Sequence, residues 1–557
     1  MDDSNVSVNP HPSTQGPAAP AAVDIRRYPG IRRLAGDYAY GFEPLAPFYE
    51  GDPARPEAWA SAVARTQAHP RNRTAIADVI AAQQQRRGAP PEARAALDRL
   101  REAGSVAVVT GQQAGAFGGP LYTLLKAVTA LRLAARVRQE HQVPAVAVFW
   151  IDSEDHDWNE VASCTVLDAE VQARTVRLPD PPGAGTTPVG WLPLADGVEA
   201  SLDELAAALP PTEFTASLMT RLRSVYRPGA TTSDAFGRLL EFVLGEFGLL
   251  VYDAADSAAK PLVAEVFARE VQFAGRTAEL ALDAGQQLVR LGYHAQVSTH
   301  ADGLSLFSLA GGRHPIRFAD GVFRAGDHEW SQAALLAEVR SSPAGFSPNV
   351  LLRPIVQDTL FPTIAYVAGP NELAYLGQLK PVYAHFGVPM PLMVPRASAT
   401  LLDSAGVRFL GKHDVALASL HAQDESVLNR LLTDALPAGV EEAHQAALAA
   451  LDGPMQALVR AVPAIDPTLE GAARSVAGKI SHELQGLHTK IIHAAKRRDD
   501  TLRRQFTRTR SQAFPNGQAQ ERTIAFVSFL NRYGQGLVDH LVRELPLDPG
   551  AHWVVTV

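Results

Sequence analysis

Residues 105–160 constrain this chain more than any other stretch. A short β-branched run, Ser105–Thr110 (SVAVVT), ends in Gly111, and Leu121, Leu124, Leu125, Val128, Leu131 and Ala135 then repeat at helical spacing. A second run, Ala145–Ile151 (AVAVFWI), is apolar almost throughout. Runs of this length read as strands, and one that is apolar on both faces reads as a parallel strand covered on both sides. Pro120 suits the first turn of the helix between them. Strand, helix, strand is a βαβ unit, whose crossover is almost always right-handed. Leu249–Asp253 (LLVYD) and Thr363–Ala368 (TIAYVA) read as further core strands. Short pieces within Ala295–Phe318 (AQVST, LSLFSL, HPIRF) mark a small inserted β element. The fold class is α/β with insertions.

Around this core the chain changes character twice. From Tyr28 to about Arg101 it is mostly helical, with Pro and Gly breaks. Between Glu441 and Phe506 long polar helices dominate. Leu448, Leu451, Met455 and Leu458 repeat at steps of three and four, as do Leu469, Ala473, Val476, Ile480, Leu484, Leu487 and Ile491 with one extra step. That is the narrow seam of a coiled coil with a stutter. Pro454, Pro463 and Pro467, at or between the helices, favour an antiparallel hairpin over one rod, and an ordinary helical bundle is the alternative. The predicted organisation is a disordered tail over residues 1–25, a core over 26–405 with insertions at about 165–235 and 290–345, a helical coiled-coil domain over 406–512, and a segment over 513–557 that packs back near the core.

Bulk properties exclude several classes. The net charge of −8 gives no basic face for nucleic acid. No run of about 20 apolar residues predicts a membrane span. Cys164 is the single cysteine, so no intramolecular disulfide and no cysteine zinc cluster can form, which fits a cytoplasmic location. No structural zinc or other metal ligand set is predicted. Cys164 itself reads as a buried packing residue.

Four segments carry candidate chemistry. In the first, TGQQAGAFGGPLYTLLKA (Thr110–Ala127), glycines join a strand to a helix N-terminus, which suits an anion; a tight structural turn explains them equally well. The second, IDSEDHDWNE (Ile151–Glu160), places five acidic residues and His156 at the same sheet edge. It suits a substrate ammonium, a magnesium ion, or proton transfer, against a solvated acidic turn. The third, Arg353–Tyr383, offers Arg353 and Gln357 ahead of a strand, with Asn371 as helix cap and Glu372 in the first turn. The fourth, Phe514–Gly536, has a turn at Asn516-Gly517 and then Gln520, Glu521 and Arg522.

In this order the four segments resemble the BshC family of bacillithiol biosynthesis. The likeness runs from about Tyr28 to the C-terminus, with a weaker stretch at GYHAQVSTHADGLSLFSLAGGRHPIRF. There, no role is carried onto Gly311, Gly312, Arg313 or His314. The resemblance implies a Rossmann-like core, a coiled coil used for homodimerisation, and a ligase that joins L-cysteine to glucosaminyl-malate through an amide bond. Such a bond requires an activated carboxylate, so ATP or another nucleotide is expected, with Mg2+ as an option. Gly111, Gln112, Gln113, Gly118 and Gly119 are then expected to cradle an anionic group. Glu154, Asp155 and Asp157 would bind an ammonium or amine, and His156 would take a proton from the attacking amine. Arg353 and Asn371 are further expected contacts, and Lys496, Arg497, Asn516, Gln520 and Arg522 a second, nucleotide-binding set. Another amino-acid-adenylating or nucleotidyl-transfer ligase, and a non-catalytic coiled-coil scaffold on a nucleotide-binding core, are the competing readings.

Overall fold

The computed structural model describes residues 21–295, 297, 302–434, 439–498 and 500–557. Its contacts divide the chain into two units, one ending at Leu401 and resuming at Gln518, the other spanning Leu402–Gly517.

The first unit is built on five parallel strands: β1 (Val106–Gln112), β2 (Ala145–Ile151), β3 (Leu249–Asp253), β4 (Thr363–Ala368) and β5 (Leu392–Pro395). Their order across the sheet is β5-β4-β1-β2-β3, with every pairing parallel. The period-2 alternation of strands explains why the runs are apolar throughout. Val106 and Val108 enter one core with Phe149 and Ile151, while Ala107 and Val109 enter the other with Val148 and Trp150. Both faces are therefore covered, as the sequence predicts. Helix α1 (Leu121–His141) follows β1 with Pro120 as its N-cap. It is buried well beyond one stripe because β1 and β2 lie against it along with the C-terminal helix Phe526–Glu544. Strand β5 is not predicted, since a four-residue strand inside the proline-rich PMPLMVP carries little periodic signal.

Insertions decorate this sheet. A five-stranded antiparallel sheet contains Gly303–Ser308, His314–Ala319, Val322–Ala325, His328–Ser331 and Phe346–Pro348. LSLFSL and HPIRF supply its first two strands, whereas most of the AQVST piece lies outside the described residues. A hairpin of Ser163–Leu167 and Ala173–Arg177 and the helices Val198–Ala208 and Thr215–Val225 form the earlier insertion. Residues 1–20 of the predicted tail lie outside the described residues, but Ala21–Asp24 differ from that expectation. They pair antiparallel with the C-terminal strand Ala551–Thr556.

The second unit contains α2 (Val440–Ala461), α3 (Leu469–Arg498) and α4 (Asp500–Ala513). Glu441, at the start of α2, meets His488, late in α3, so these two helices form an antiparallel hairpin. Pro463 lies in the connecting turn, but Pro454 lies inside α2 rather than at its end. Several seam residues stay exposed, among them Leu458, Val476 and Leu487. Among the described residues no helix is long and apolar enough to cross a membrane.

Candidate active site

The strand order reverses between β1 and β4: the chain runs β1-β2-β3 in one direction, then crosses to β4 and β5. Such a switch point opens a crevice beyond the carboxyl ends of the strands, where ligands of open α/β sheets bind. Here the crevice has a volume of about 440 Å³ and is lined by the ends of β1, β2 and β4 and by the inserted antiparallel sheet. Its charges are mixed. Asp152, Asp155, Glu160 and Glu372 face the same space as Arg313 and Arg353.

The floor is fixed by Lys126 of α1. Its buried Nζ donates to Gly111 O at 2.9 Å and to Gln112 Oε1 at 3.1 Å, and pairs with Glu372 Oε2 at 2.8 Å. Burial pulls the Lys126 ammonium below its usual range, and the Glu372 carboxylate opposes that shift. Glu372 is itself oriented by the backbone N–H of Gly369. It is the N-cap position of the short helix Leu373–Leu376, which corrects the expected cap at Asn371. Asn371 does not line the crevice, and its Oδ1 is buried without a hydrogen-bond partner among the described residues.

The acidic wall follows β2. Asp155 accepts from Gln113 Nε2 at 2.8 Å, from the His156 backbone N–H at 2.7 Å and from Arg313 at 3.2 Å. Burial works against ionisation of Asp155, but Arg313 and these donors outweigh it and hold the carboxyl below its usual range. Asp152 and Glu160 behave in the opposite way. Burial raises Asp152 although the Arg353 guanidinium lies 3.8 Å away, and burial with the neighbouring carboxylates raises Glu160.

Arg313 reaches the crevice from the inserted sheet. It donates to Ser347 Oγ at 3.3 Å, to Pro348 O at 3.1 Å and to His156 Nδ1 at 3.1 Å, with its guanidinium 3.8 Å from the Phe307 ring centroid. His156 Nδ1 also lies 3.3 Å from Asp155 Oδ1, so this nitrogen accepts from Arg313 in one tautomer and donates to Asp155 in the other. His156, expected to take the proton of an attacking amine, is not among the residues that line the crevice.

Other expected site residues stand elsewhere. Glu154 turns away from the crevice into a buried ion pair with Lys260, whose Nζ also donates to Phe346 O at 3.1 Å. Asp157 is exposed and caps the helix Trp158–Val161 by accepting from Glu160 N at 3.3 Å. Gly118 and Gly119 have φ of +95° and +74°, but they are packed rather than open: a Cβ on Gly118 would lie 2.3 Å from the Phe526 ring. Leu121 N, at the head of α1, donates to Ile524 O at 2.8 Å. The loop is therefore sealed by residues 524–526 and makes no anion cradle at these two glycines.

Of the second set, Gln520 is fully buried and bonded at both ends to the Leu401 backbone, at 2.8 Å each. Arg522 is exposed, 5.9 Å from the Tyr122 ring centroid. Asn516 sits exposed in a turn of the second unit at φ +53°. Lys496 and Arg497 belong to α3, but their side chains lie outside the described residues. The buried partner in this segment is Glu521, which accepts from Arg396 at 2.6 and 2.8 Å.

Lys126 is a crevice-floor residue the sequence reading does not name, while Asp152 enters there only within the acidic run, Glu372 only as a first-turn residue, and Arg313 with no role. One signal was present for Lys126: a single lysine amid LYTLLKAVTALRLAA must be paired if the helix is buried on all sides.

A doubly wound parallel sheet with a mixed-charge crevice at its switch point defines a Rossmann-like α/β protein with a small-molecule site. A helical hairpin completes it. The chain belongs to the BshC family of bacillithiol biosynthesis, whose N-terminal Rossmann-like domain matches residues 22–397 and whose C-terminal coiled-coil domain matches residues 399–557. A Salinibacter ruber protein is 37% identical over 528 residues, covering 94% of this chain and 95% of its own length. A Koribacter versatilis protein is 34% identical over 542 residues, 97% and 100% of the two chains. Both carry the name "Putative cysteine ligase BshC", so the family is one of ligases. The family's second domain includes residues 518–557, which here contact the first unit.

Proposed function

We propose that this protein is the ligase that joins L-cysteine to glucosaminyl-malate, forming an amide in the final step of bacillithiol synthesis. The observation that carries the reading is the mixed charge of the switch-point crevice. Both substrates bear amines and carboxylates, and a pocket for them must neutralise both signs. Arg353, buried and lining the crevice, suits a malate carboxylate. Glu160 suits an ammonium. The cytoplasm is the proposed compartment.

Amide formation needs one proton removed from the attacking amine. Asp152 is the group proposed for this: it lines the crevice and burial raises its basicity. The amine nitrogen attacks the activated cysteinyl carbonyl, the C–N bond forms, the leaving group departs with the bonding pair, and Asp152 accepts the amine proton. Asp155, Gln113 and Arg313 position this wall. A nucleotide would supply the activation, yet Gly118 and Gly119 are closed to its phosphates, so no step here runs through it.

Calorimetric binding of glucosaminyl-malate tests the assignment. Wild type is expected to bind, and Arg353→Ala to lose affinity by ~10–100-fold, in line with loss of a charge-assisted contact of about 1.5–3 kcal/mol. Equal affinity of Arg353→Ala would remove the malate from this crevice. Turnover of another amine acceptor in its place would favour a different ligase.

A further inference from the structure

We propose that Glu441, His444 and His488 form a binding site for a divalent transition metal of the zinc class, which clips the two helices of the hairpin together. One nitrogen from each histidine and one carboxylate oxygen all lie within 4.8 Å of one another. Glu441 and His444 are three residues apart on α2, so they share one face of the helix. His488 comes from α3 on the facing side, with its Nε2 2.8 Å from Glu441 Oε2. Gln445 Nε2 donates to Glu441 Oε1 at 2.9 Å, which fixes the carboxylate and leaves Oε2 turned to the histidines.

The second observation is the state of His444. Its ring stacks on His488 with centroids 4.3 Å apart and planes 17° from parallel. Both His444 nitrogens are buried, and neither has a hydrogen-bond partner among the described residues. A neutral imidazole has one N–H and one lone pair, and burying both unsatisfied is unfavourable. A metal ion accepts the lone pair directly and draws the His488 nitrogen and Glu441 Oε2 to the same centre. Small side-chain rotations bring the three atoms to the ~2.0–2.2 Å metal distances that zinc takes.

The donor set selects the ion. Two imidazoles with one carboxylate suit Zn2+, Ni2+ or Cu2+ and not Ca2+ or Mg2+, which take oxygen shells. Three protein ligands leave a position for water, which the half-exposed setting allows. Spacing in the sequence does not disclose the site, because His488 lies on the other helix of the hairpin. The expectation of no structural zinc rests on the single cysteine and on the spacing of residues 151–160, and neither bears on this hairpin.

The full-length chain, stripped with EDTA and dialysed, is titrated with Zn2+ against a chromophoric chelator. One Zn2+ per chain is expected, with His444→Ala and His488→Ala each weakening binding by more than about 100-fold, beyond what loss of an outer-shell partner produces. His444→Cys replaces one ligand by another and, loaded with Co2+, is expected to show a thiolate-to-cobalt charge-transfer band that wild type lacks. The buried Cys164 does not contribute to that band. No stoichiometric Zn2+ on wild type, unchanged affinity in both alanine variants, or no band in His444→Cys would each overturn the proposal.

Discussion

Lys126 and Glu372 meet at 2.8 Å across the switch point of the sheet, one on the helix after β1 and the other just after β4. The pair ties together the two halves of the crevice floor, since Lys126 also holds Gly111 O and Gln112 Oε1. Removing one partner leaves a charge poorly compensated. Lys126→Met is expected to lose about 2–4 kcal/mol of unfolding free energy, below the upper range for buried pairs because Glu372 keeps 28% exposure. Urea denaturation measures it, and a loss under 1 kcal/mol would show that the pair does not hold the floor.

Arg396 and Glu521 form a more deeply buried pair, with side chains 2% and 3% exposed. It pins the returning C-terminal segment to the strand Ser398–Leu402, where Ser398 Oγ and Ala399 N also donate to Glu521. Glu521→Ala is expected to destabilise by about 3–5 kcal/mol. Chemical denaturation compared with wild type checks it, and a near-neutral result would remove the pair as an anchor.

His552 gives a pH dependence. With Ser398 donating to Glu521, the serine oxygen accepts from His552 Nδ1–H at 2.7 Å, and Thr400 donates to Nε2 at 2.8 Å. Burial lowers the imidazole from its usual 6.5 to about 4, against the pull of Glu521. The unfolded chain therefore binds a proton near pH 6.5 that the folded chain refuses until about pH 4. Stability from this group is complete above pH 6.5 and is lost as pH falls toward 4, by about 3 kcal/mol in total. Urea midpoints between pH 7 and pH 4.5 should fall more steeply for wild type than for His552→Gln. Parallel slopes would contradict the assignment.

Cys164 is buried in the strand Ser163–Leu167, and burial pushes its thiol up to about 12. Alkylation of the native protein at pH 8 is expected to be slower than in urea by more than ~100-fold, read by mass spectrometry. Fast native labelling would mean an open, reactive thiol.

The fold was legible where burial is two-sided. β1, β2 and β4 are continuous apolar runs because each has a core on both faces, and α1 announces itself by its leucine spacing. The site was legible in its acidic wall and in Gln112 and Gln113, which sit at the carboxyl ends of β1 and β2. Elsewhere the pattern admits two physical origins. Gly118 and Gly119 take positive φ, which serves a phosphate or a close-packed aromatic alike, and the deciding ring belongs to Phe526, far along the chain. Glu154 and Asp155 are neighbours, yet one faces Lys260 and the other the crevice. Arg313 enters through the inserted sheet, whose register local sequence does not predict.

Bacillithiol synthesis at this crevice, with Asp152 as the proposed proton acceptor, is open to a direct test. The direct measurement is low-molecular-weight thiol content in cells lacking the protein, restored with wild type, Asp152→Asn or His156→Gln. In the deleted cells bacillithiol is expected to disappear and glucosaminyl-malate to accumulate, wild type to restore synthesis, and Asp152→Asn to leave it reduced by about 100-fold or more. His156→Gln should retain more activity than Asp152→Asn. Bacillithiol at wild-type levels in the deleted cells, or full rescue by Asp152→Asn, would contradict it.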